Sequence, residues 1–328
     1  MLQQYSDRGW TAEGLLKDEW ILEIDEALRQ AIEAVSCGRS DRSCGIDGES
    51  RVHELIEEIV DRIENGRGFV VLREFSVPGR AAQELSQILL GFGYLLGMPV
   101  SQLGNGSLVG YVQDLGGDAE AVRGHQSNAE LDFHCDRADL IGLLCVRPAR
   151  EGGKSRLVSA VAVHNIVASE RPDLLQILCS AMPHDLRDEE RAGRKPWCSI
   201  PIFTTKGGRF VSRYIRRFVE STARFDDCPK LTARQVEALN FVDEVLQRKG
   251  VALDLEFRPG DLQFINNCTV WHSRTAFYDW SDPQRKRLLL RLWIAHHDSR
   301  ALPDCFLPLY GEIGPGKNRS GVGAKHPR

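Results

Sequence analysis

The sequence predicts a mainly β protein with helices, a β-sandwich or jelly roll carrying helical decoration. Three observations lead there. Short runs rich in β-branched and aromatic residues recur through the chain, bounded by Gly, Pro, Asn or Asp, as the strands of a two-layered sheet require. Amphipathic helical periodicity is confined to a few segments and lies mostly before residue 100. Strand and helix do not alternate regularly, and no glycine fingerprint follows the first strand, which argues against a doubly wound dinucleotide fold.

Taken in order, residues 11–35 carry apolar positions at helical spacing (Leu15, Leu16, Trp20, Ile21, Ile24, Leu28, Ile32), with Thr11 as N-cap. Residues 38–50 are Gly-, Ser- and Asp-rich and predict a loop. A second helix over 51–64 ends at Asn65-Gly66. Residues 68–75 form the first core strand, 81–97 another helix and 108–113 a strand. The polar stretch 116–128 has no period and predicts a substrate loop. Short β runs follow at 141–146 and 156–162, separated by the Gly152-Gly153 turn. Arg171-Pro172-Asp173 opens a helix reaching Cys179, and the charged 183–200 region predicts a surface insertion. A strand over 210–214 precedes an amphipathic helix over 232–249, with Val236, Leu239, Val242 and Leu246 on one face. Strands at 252–257, 262–265 and 288–295 complete the β pattern. The tail from Pro303 predicts a draped or disordered segment.

At 328 residues the chain can bury a full core, and no linker divides it. Its 42% hydrophobic and 27% charged residues are those of an ordinary soluble globular protein. A net charge of -4 leaves no electrostatic footprint for nucleic acid, and the basic clusters at 213–217 and 285–291 are short. Nine cysteines, an odd number without a Cys-x-x-Cys pair, predict reduced thiols rather than a disulfide framework or zinc knuckle. No signal-like apolar core opens the sequence and no apolar run reaches membrane length. The expectation is a soluble, cytoplasmic protein with neither nucleic-acid nor membrane partners.

Chemistry concentrates in Leu131-Asp132-Phe133-His134-Cys135-Asp136-Arg137, answered downstream by Val270-Trp271-His272-Ser273-Arg274. On a strand, His134 and Asp136 at i and i+2 leave the same face while Cys135 points away. A second imidazole from another strand would complete two histidines and one carboxylate with open positions, the facial triad of non-haem Fe(II) oxygenases. Alone, His-x-Asp also fits a hydrogen-bonded strand-edge pair, and the residues leave open which aspartate and which metal.

Three more motifs accompany it in order: Gly152-Gly153-Lys154-Ser155, then residues 259–267 from Pro259-Gly260-Asp261 to Asn266-Asn267, then Arg287-Leu288-Leu289-Leu290-Arg291. Together, over about residues 68–295, they resemble the taurine dioxygenase (TauD/TfdA) family of Fe(II)- and 2-oxoglutarate-dependent dioxygenases. The resemblance implies a double-stranded β-helix core and iron ligation by His134, Asp136 and His272. It implies that Arg287, fifteen residues after His272, pairs with the far carboxylate of 2-oxoglutarate. Ser155 stands where the family usually has a threonine that binds the same carboxylate, and Arg291 matches a second, active-site arginine. Guanidinium suits a dicarboxylic cosubstrate because it donates two parallel charge-assisted hydrogen bonds. The implied reaction consumes O2 and 2-oxoglutarate, releases succinate and CO2, and hydroxylates or desaturates a C–H of a small substrate. Because Asp136 keeps a carboxylate at the metal, halogenation is disfavoured.

In that reading residues 1–66 are a helical N-terminal extension, 67–298 the catalytic jelly roll and 299–328 an irregular tail of one domain. Arg291 permits an anionic substrate, and the family's dimers and tetramers are compatible with a homo-oligomer. Two other classes remain open on the residues: a zinc hydrolase using the same His/Asp/His set with an activated water, and a non-catalytic jelly-roll binding protein. Asp132 is a candidate to support the metal ligands. His125, Glu130, Phe133, Arg213, Tyr214 and Trp271 are candidates to line the pocket by proximity to the motifs.

Overall fold

The computed structural model describes residues 9–38, 45–76, 79–102, 105–116, 126–187, 189 and 194–321. The N-terminal third holds β1 (Ile21–Glu23), α1 (Glu26–Ser36), α2 (Gly45–Glu64), β2 (Phe69–Arg73), α3 (Ala82–Leu96), β3 (Gly97–Val100) and β4 (Val109–Val112). Next come β5 (Leu131–His134), β6 (Leu140–Arg147), β7 (Glu151–Gly152), β8 (Ser155–Ser159), α4 (Ala160–Glu170) and α5 (Pro172–Leu178). Two hairpins follow, β9 (Met182–Asp185) with β10 (Trp197–Ile200) and β11 (Phe203–Lys206) with β12 (Arg209–Ser212), then α6 (Arg216–Glu220) and α7 (Ala233–Gln247). The chain closes with β13 (Leu253–Leu255), β14 (Leu262–Asn266), β15 (Val270–Arg274), β16 (Phe277–Tyr278), β17 (Leu288–His296) and α8 (Leu307–Tyr310).

Two sheets face each other. The larger has seven strands in the order β1-β2-β14-β6-β17-β3, with β4 also on β17, and the smaller runs β13-β8-β15-β5. Strand alternation decides what each face meets. Val70, Leu72, Phe264, Leu290 and Leu292 of the larger sheet turn outward, onto Ile32, Ile59, Ile88 and Phe92 of α1, α2 and α3. Val158 and Trp271 of the smaller sheet turn the other way, onto α4, α5 and α7. Both outer faces are therefore covered, and the outward positions of these strands are apolar.

Between the sheets, Phe69, Val71 and Ile265 meet Leu157, Leu255 and Val270, with Trp10 and Trp20 closing one end. Further along, the inward positions become polar. Gln263 alternates with outward Leu262 and Phe264, Arg291 with outward Leu290 and Leu292, and His272 with outward Trp271. Ser155 confirms the geometry by donating across the gap to Gln263 Oε1 at 3.4 Å. The sandwich is dry at one end and chemical at the other.

Several expectations are corrected. Residues 11–35 are not one helix: two 3-10 turns precede β1, whose Ile21, Leu22 and Glu23 pair in parallel with Val71, Leu72 and Arg73. Asp25 then caps α1 by accepting from Leu28 N at 2.7 Å. The predicted loop at 38–50 gives way to helix from Gly45, and β3, read as the end of a helix, pairs with β17. The β run ends at Ser159, which caps α4; Val161, Val163 and Val167 have strand-like chemistry but pack as a helix on the core. The 183–200 region is no surface insertion where described, since Met182, His184, Asp185, Cys198 and Ile200 are buried. Val236 is exposed, and the buried face of α7 is Ala238, Leu239, Val242, Val245 and Leu246. The tail is packed as far as residue 321: Phe306, Leu309 and Tyr310 join a buried cluster, and Arg319 is fully buried.

Candidate active site

β5 and β15 run antiparallel with His134 directly opposite His272, so both imidazoles leave the same face. Their ring centroids lie 4.3 Å apart. β5 stops at His134, so Asp136 reaches the pair from the turn beyond the strand rather than from within it. Asn267 holds that turn, accepting from Asp136 N at 3.0 Å and donating to Ala138 O at 2.9 Å. Cys135 points away, into the core beneath Tyr214. The result is one candidate metal group, His134, Asp136 and His272, whose ligand atoms all lie within 4.8 Å of one another.

Two of the three ligand-type side chains have a hydrogen-bonded support, while His272 Nδ1 is buried without a partner. His134 Nδ1 lies 2.7 Å from Asp132 O, leaving Nε2 for a metal, so Asp132 supports the site through its carbonyl while its side chain is exposed. Asp136 Oδ2 accepts from Trp293 Nε1 at 3.0 Å and Arg291 Nη1 at 3.2 Å. Burial opposes ionisation of Asp136, but Arg291, the two imidazoles and Trp293 together hold its carboxyl below the usual range. Burial pushes His272 down to about 3, helped by His134, and lowers His134 as well. Two neutral imidazoles and one carboxylate are the protonation states a divalent cation needs.

Arg291 is therefore an ion-pair partner of Asp136, oriented by Gln102, whose Oε1 accepts from Arg291 Nε at 2.6 Å. Gly110, opposite Arg291 on β4, gives Gln102 room; a Cβ there would meet Gln102 Oε1 at 2.8 Å. Gln102 and Trp293 escape sequence reading because neither belongs to a spaced motif.

The second half of the site lies around Phe277. Arg287 and Arg274 each place their guanidinium carbon about 5 Å from this ring, at 5.0 and 4.9 Å. Burial lowers both to about 10, and for Arg274 the neighbouring charge of Arg287 adds to it. Arg287 Nη1, Arg274 Nε and Nη1, and Gln263 Nε2 are buried without a hydrogen-bond partner. Ser155 lies across from Arg274 on β8. Gly152 and Gly153 have positive φ, and a Cβ on Gly153 would lie 3.1 Å from Arg287 Nε, so the Gly-Gly turn leaves space for that guanidinium. Buried, unpaired cationic donors are costly unless an anion meets them. This donor set fits the distal carboxylate of a 2-oxo dicarboxylic acid.

The remaining candidates are placed elsewhere. Phe133 and Trp271 belong to the outer core, Trp271 stacking on Tyr214 at 4.7 Å. Arg213 donates to Cys135 O at 2.8 Å and Asp136 O at 2.7 Å, and Tyr214 accepts from Cys135 N through its carbonyl, so both brace the backbone of the metal segment. Glu130 is exposed. His125 lies outside the described residues.

The sequence matches the taurine catabolism dioxygenase TauD, TfdA family over residues 27–293. The chain belongs to that family. As a TauD/TfdA member it is a non-haem iron, 2-oxoglutarate-dependent dioxygenase. It is 32% identical over 264 residues to FR-33289 synthase of Streptomyces rubellomurinus, covering 77% of this chain and 76% of that protein. Among solved structures, asparagine oxygenase in complex with Fe(II), (2S,3S)-3-hydroxyasparagine and succinate superposes with a TM-score of 0.64 at 18% identity, covering 84% of this chain and 93% of that one. The non-haem iron oxygenase OrfP with Fe and α-ketoglutaric acid gives 0.61 at 15% identity, over 84% and 94%. At such identities these likenesses concern the fold: a mainly β, jelly-roll architecture.

Proposed function

We propose that this dioxygenase binds Fe(II) through His134, Asp136 and His272 and 2-oxoglutarate through Arg287 and Ser155, and hydroxylates a C–H bond of a small, anionic organic molecule. One observation carries the reading: a half-buried His/Asp/His cluster with ligand atoms within 4.8 Å shares the sandwich interior with a pocket of unpaired guanidinium donors. A zinc hydrolase would have no use for that second pocket.

Bound iron supplies redox chemistry toward O2, coupling cosubstrate decarboxylation to substrate oxidation. The chain's own residues do the rest. His134 and His272, kept neutral by burial, present nitrogen lone pairs instead of competing for protons. Trp293 and Arg291 bind one oxygen of Asp136 and so orient the other. Arg287 anchors the far end of the cosubstrate, and the apolar plug around Leu157 and Ile265 excludes water from the closed end. The substrate's anionic group is proposed from the local charge: Arg291 pairs with Asp136 and Arg213 donates to the Asp136 carbonyl, two guanidiniums against one carboxylate beside the metal group. Relatives support the small-molecule class, since asparagine oxygenase is solved with a hydroxylated amino acid. The eight described cysteines are all free thiols, in keeping with a reducing, cytoplasmic setting.

An anaerobic titration with Fe(II) and 2-oxoglutarate tests the reading. A visible charge-transfer band that disappears in Asp136→Ala is expected, and its absence from the wild-type protein would overturn the assignment. Succinate release across amino acids, sulfonates, phosphorylated and aryloxy acids then identifies the substrate.

A further inference from the structure

We infer that Arg274 is a second cosubstrate-binding arginine, which closes on the distal carboxylate of 2-oxoglutarate from the side opposite Arg287 while its remaining nitrogen holds the segment leading into the metal strand. The inference rests on the proposed 2-oxoglutarate site and adds a residue to it.

Arg274 lies two residues after His272 on β15, so strand alternation sends both side chains into the sandwich. It is 6% exposed, and Leu131 and Ser155 are its cross-strand partners. Its Nη2 donates to Ser127 O at 2.7 Å and to Ala129 O. Its Nε and Nη1 are buried and have no partner. Among the described residues no carboxylate meets this charge at contact distance: no ion pair joins Arg274 to any of them, and the acidic group acting on it, Asp114, does so only through space. Arg287 is in the same condition, its Nη1 unpartnered and its backbone N–H, not its guanidinium, bonded to Asp279.

Two buried guanidiniums around one phenyl ring repel each other, and a buried charge is ordinarily paired. One carboxylate between them satisfies both, each through charge-assisted hydrogen bonds. Ser155, directly across from Arg274, adds a hydroxyl, and Gln263 Nε2 a further unpartnered donor. The unpartnered atoms of Arg274, Arg287 and Gln263 are all donors, as a carboxylate end requires. Because Phe277 N also donates to Asn128 O at 3.1 Å, the Phe277 backbone and Arg274 together tie residues 127–129 to the cosubstrate's anchor.

The test compares two 2-oxo acids on the Fe(II)-loaded protein under anaerobic conditions, read by the equilibrium charge-transfer band. 2-Oxoglutarate carries the distal carboxylate; 2-oxobutanoate shares the chelating head and lacks it. In Arg274→Gln, the 2-oxoglutarate dissociation constant should rise about tenfold or more, that for 2-oxobutanoate should stay within twofold, and Arg274→Lys should recover part of the loss. Equal weakening of both ligands, or 2-oxoglutarate affinity within twofold of wild type, would show that Arg274 only props the 127–129 backbone and would overturn the inference. Should wild-type protein fail to prefer 2-oxoglutarate, or Arg287→Gln leave that preference intact, the underlying cosubstrate site itself would fall.

Discussion

Trp293 and Arg291 donate to the same oxygen of Asp136, while Oδ1 lies 3.9 Å from His134 Nε2. Orientation by such outer partners commonly contributes 10- to 100-fold in metal affinity. Trp293→Phe should therefore weaken Fe(II) binding about tenfold without altering 2-oxoglutarate affinity at saturating iron; calorimetric or spectroscopic titration checks both values. Arg287→Gln should do the converse, raising the half-saturating 2-oxoglutarate concentration at least about tenfold while Fe(II) affinity stays put. These two variants separate the metal half of the site from the cosubstrate half.

At the scale of elements, the C-terminal tail acts as a clamp. Arg319, fully buried, donates Nε and Nη2 to Asp139 Oδ1 at 2.9 and 2.7 Å, and Asp139 Oδ2 accepts from His296 N. Asp139 follows the metal segment at the start of β6, so the tail secures the turn that carries Asp136. Arg319→Ala leaves the buried Asp139 carboxylate without its cation and should cost about 3–5 kcal/mol of stability, measurable by chemical denaturation of the metal-free protein. The β9–β10 hairpin supplies a pH dependence. Burial, with Arg213 and Arg137 nearby and Asp185 opposing them, lowers His184 well below its ordinary 6.5. Above that value His184 is neutral folded or unfolded. Below it the unfolded chain takes up a proton that the folded one refuses, so stability falls as pH drops from 6.5 toward the lower folded value. Thermal midpoints of the metal-free protein between pH 7 and 5 should decline, and His184→Gln should flatten that slope; an unchanged slope would assign the acid sensitivity elsewhere.

Across the whole molecule, two helical layers press a double sheet whose interior changes from apolar to polar along its length. The outer layer is remote in character from the chemistry, so Phe264→Ala, which empties space beneath Phe92, should lower stability by about 3–5 kcal/mol and leave the Fe(II)–2-oxoglutarate band intact in the folded fraction. Much of this plan is legible along the chain. His134 and Asp136 stand out by spacing and the strands by β-branched runs between turn residues, while His272 as third ligand and Arg287 as cosubstrate partner follow from the resemblance to the TauD/TfdA family. What could not be read locally is equally specific. Residues 11–35 show helical periodicity, but Ile21 to Glu23 gain more by extending the sheet alongside β2 than by completing a helix turn. Val161 and Val163 have strand propensity, overridden by the Ser159 cap and burial against α5 and α7.

Ligand types, their order and the reaction class are properties of the sequence, because metal and carboxylate chemistry admits few residue types. Contacts between distant segments are properties of the tertiary structure alone. Arg291 turns out to pair with Asp136 across 155 positions, Asp132 to serve through its carbonyl, and Arg274 to sit unpaired beside Arg287. Each depends on which donors lack acceptors once the two sheets close, a condition set by burial and register rather than by residue identity.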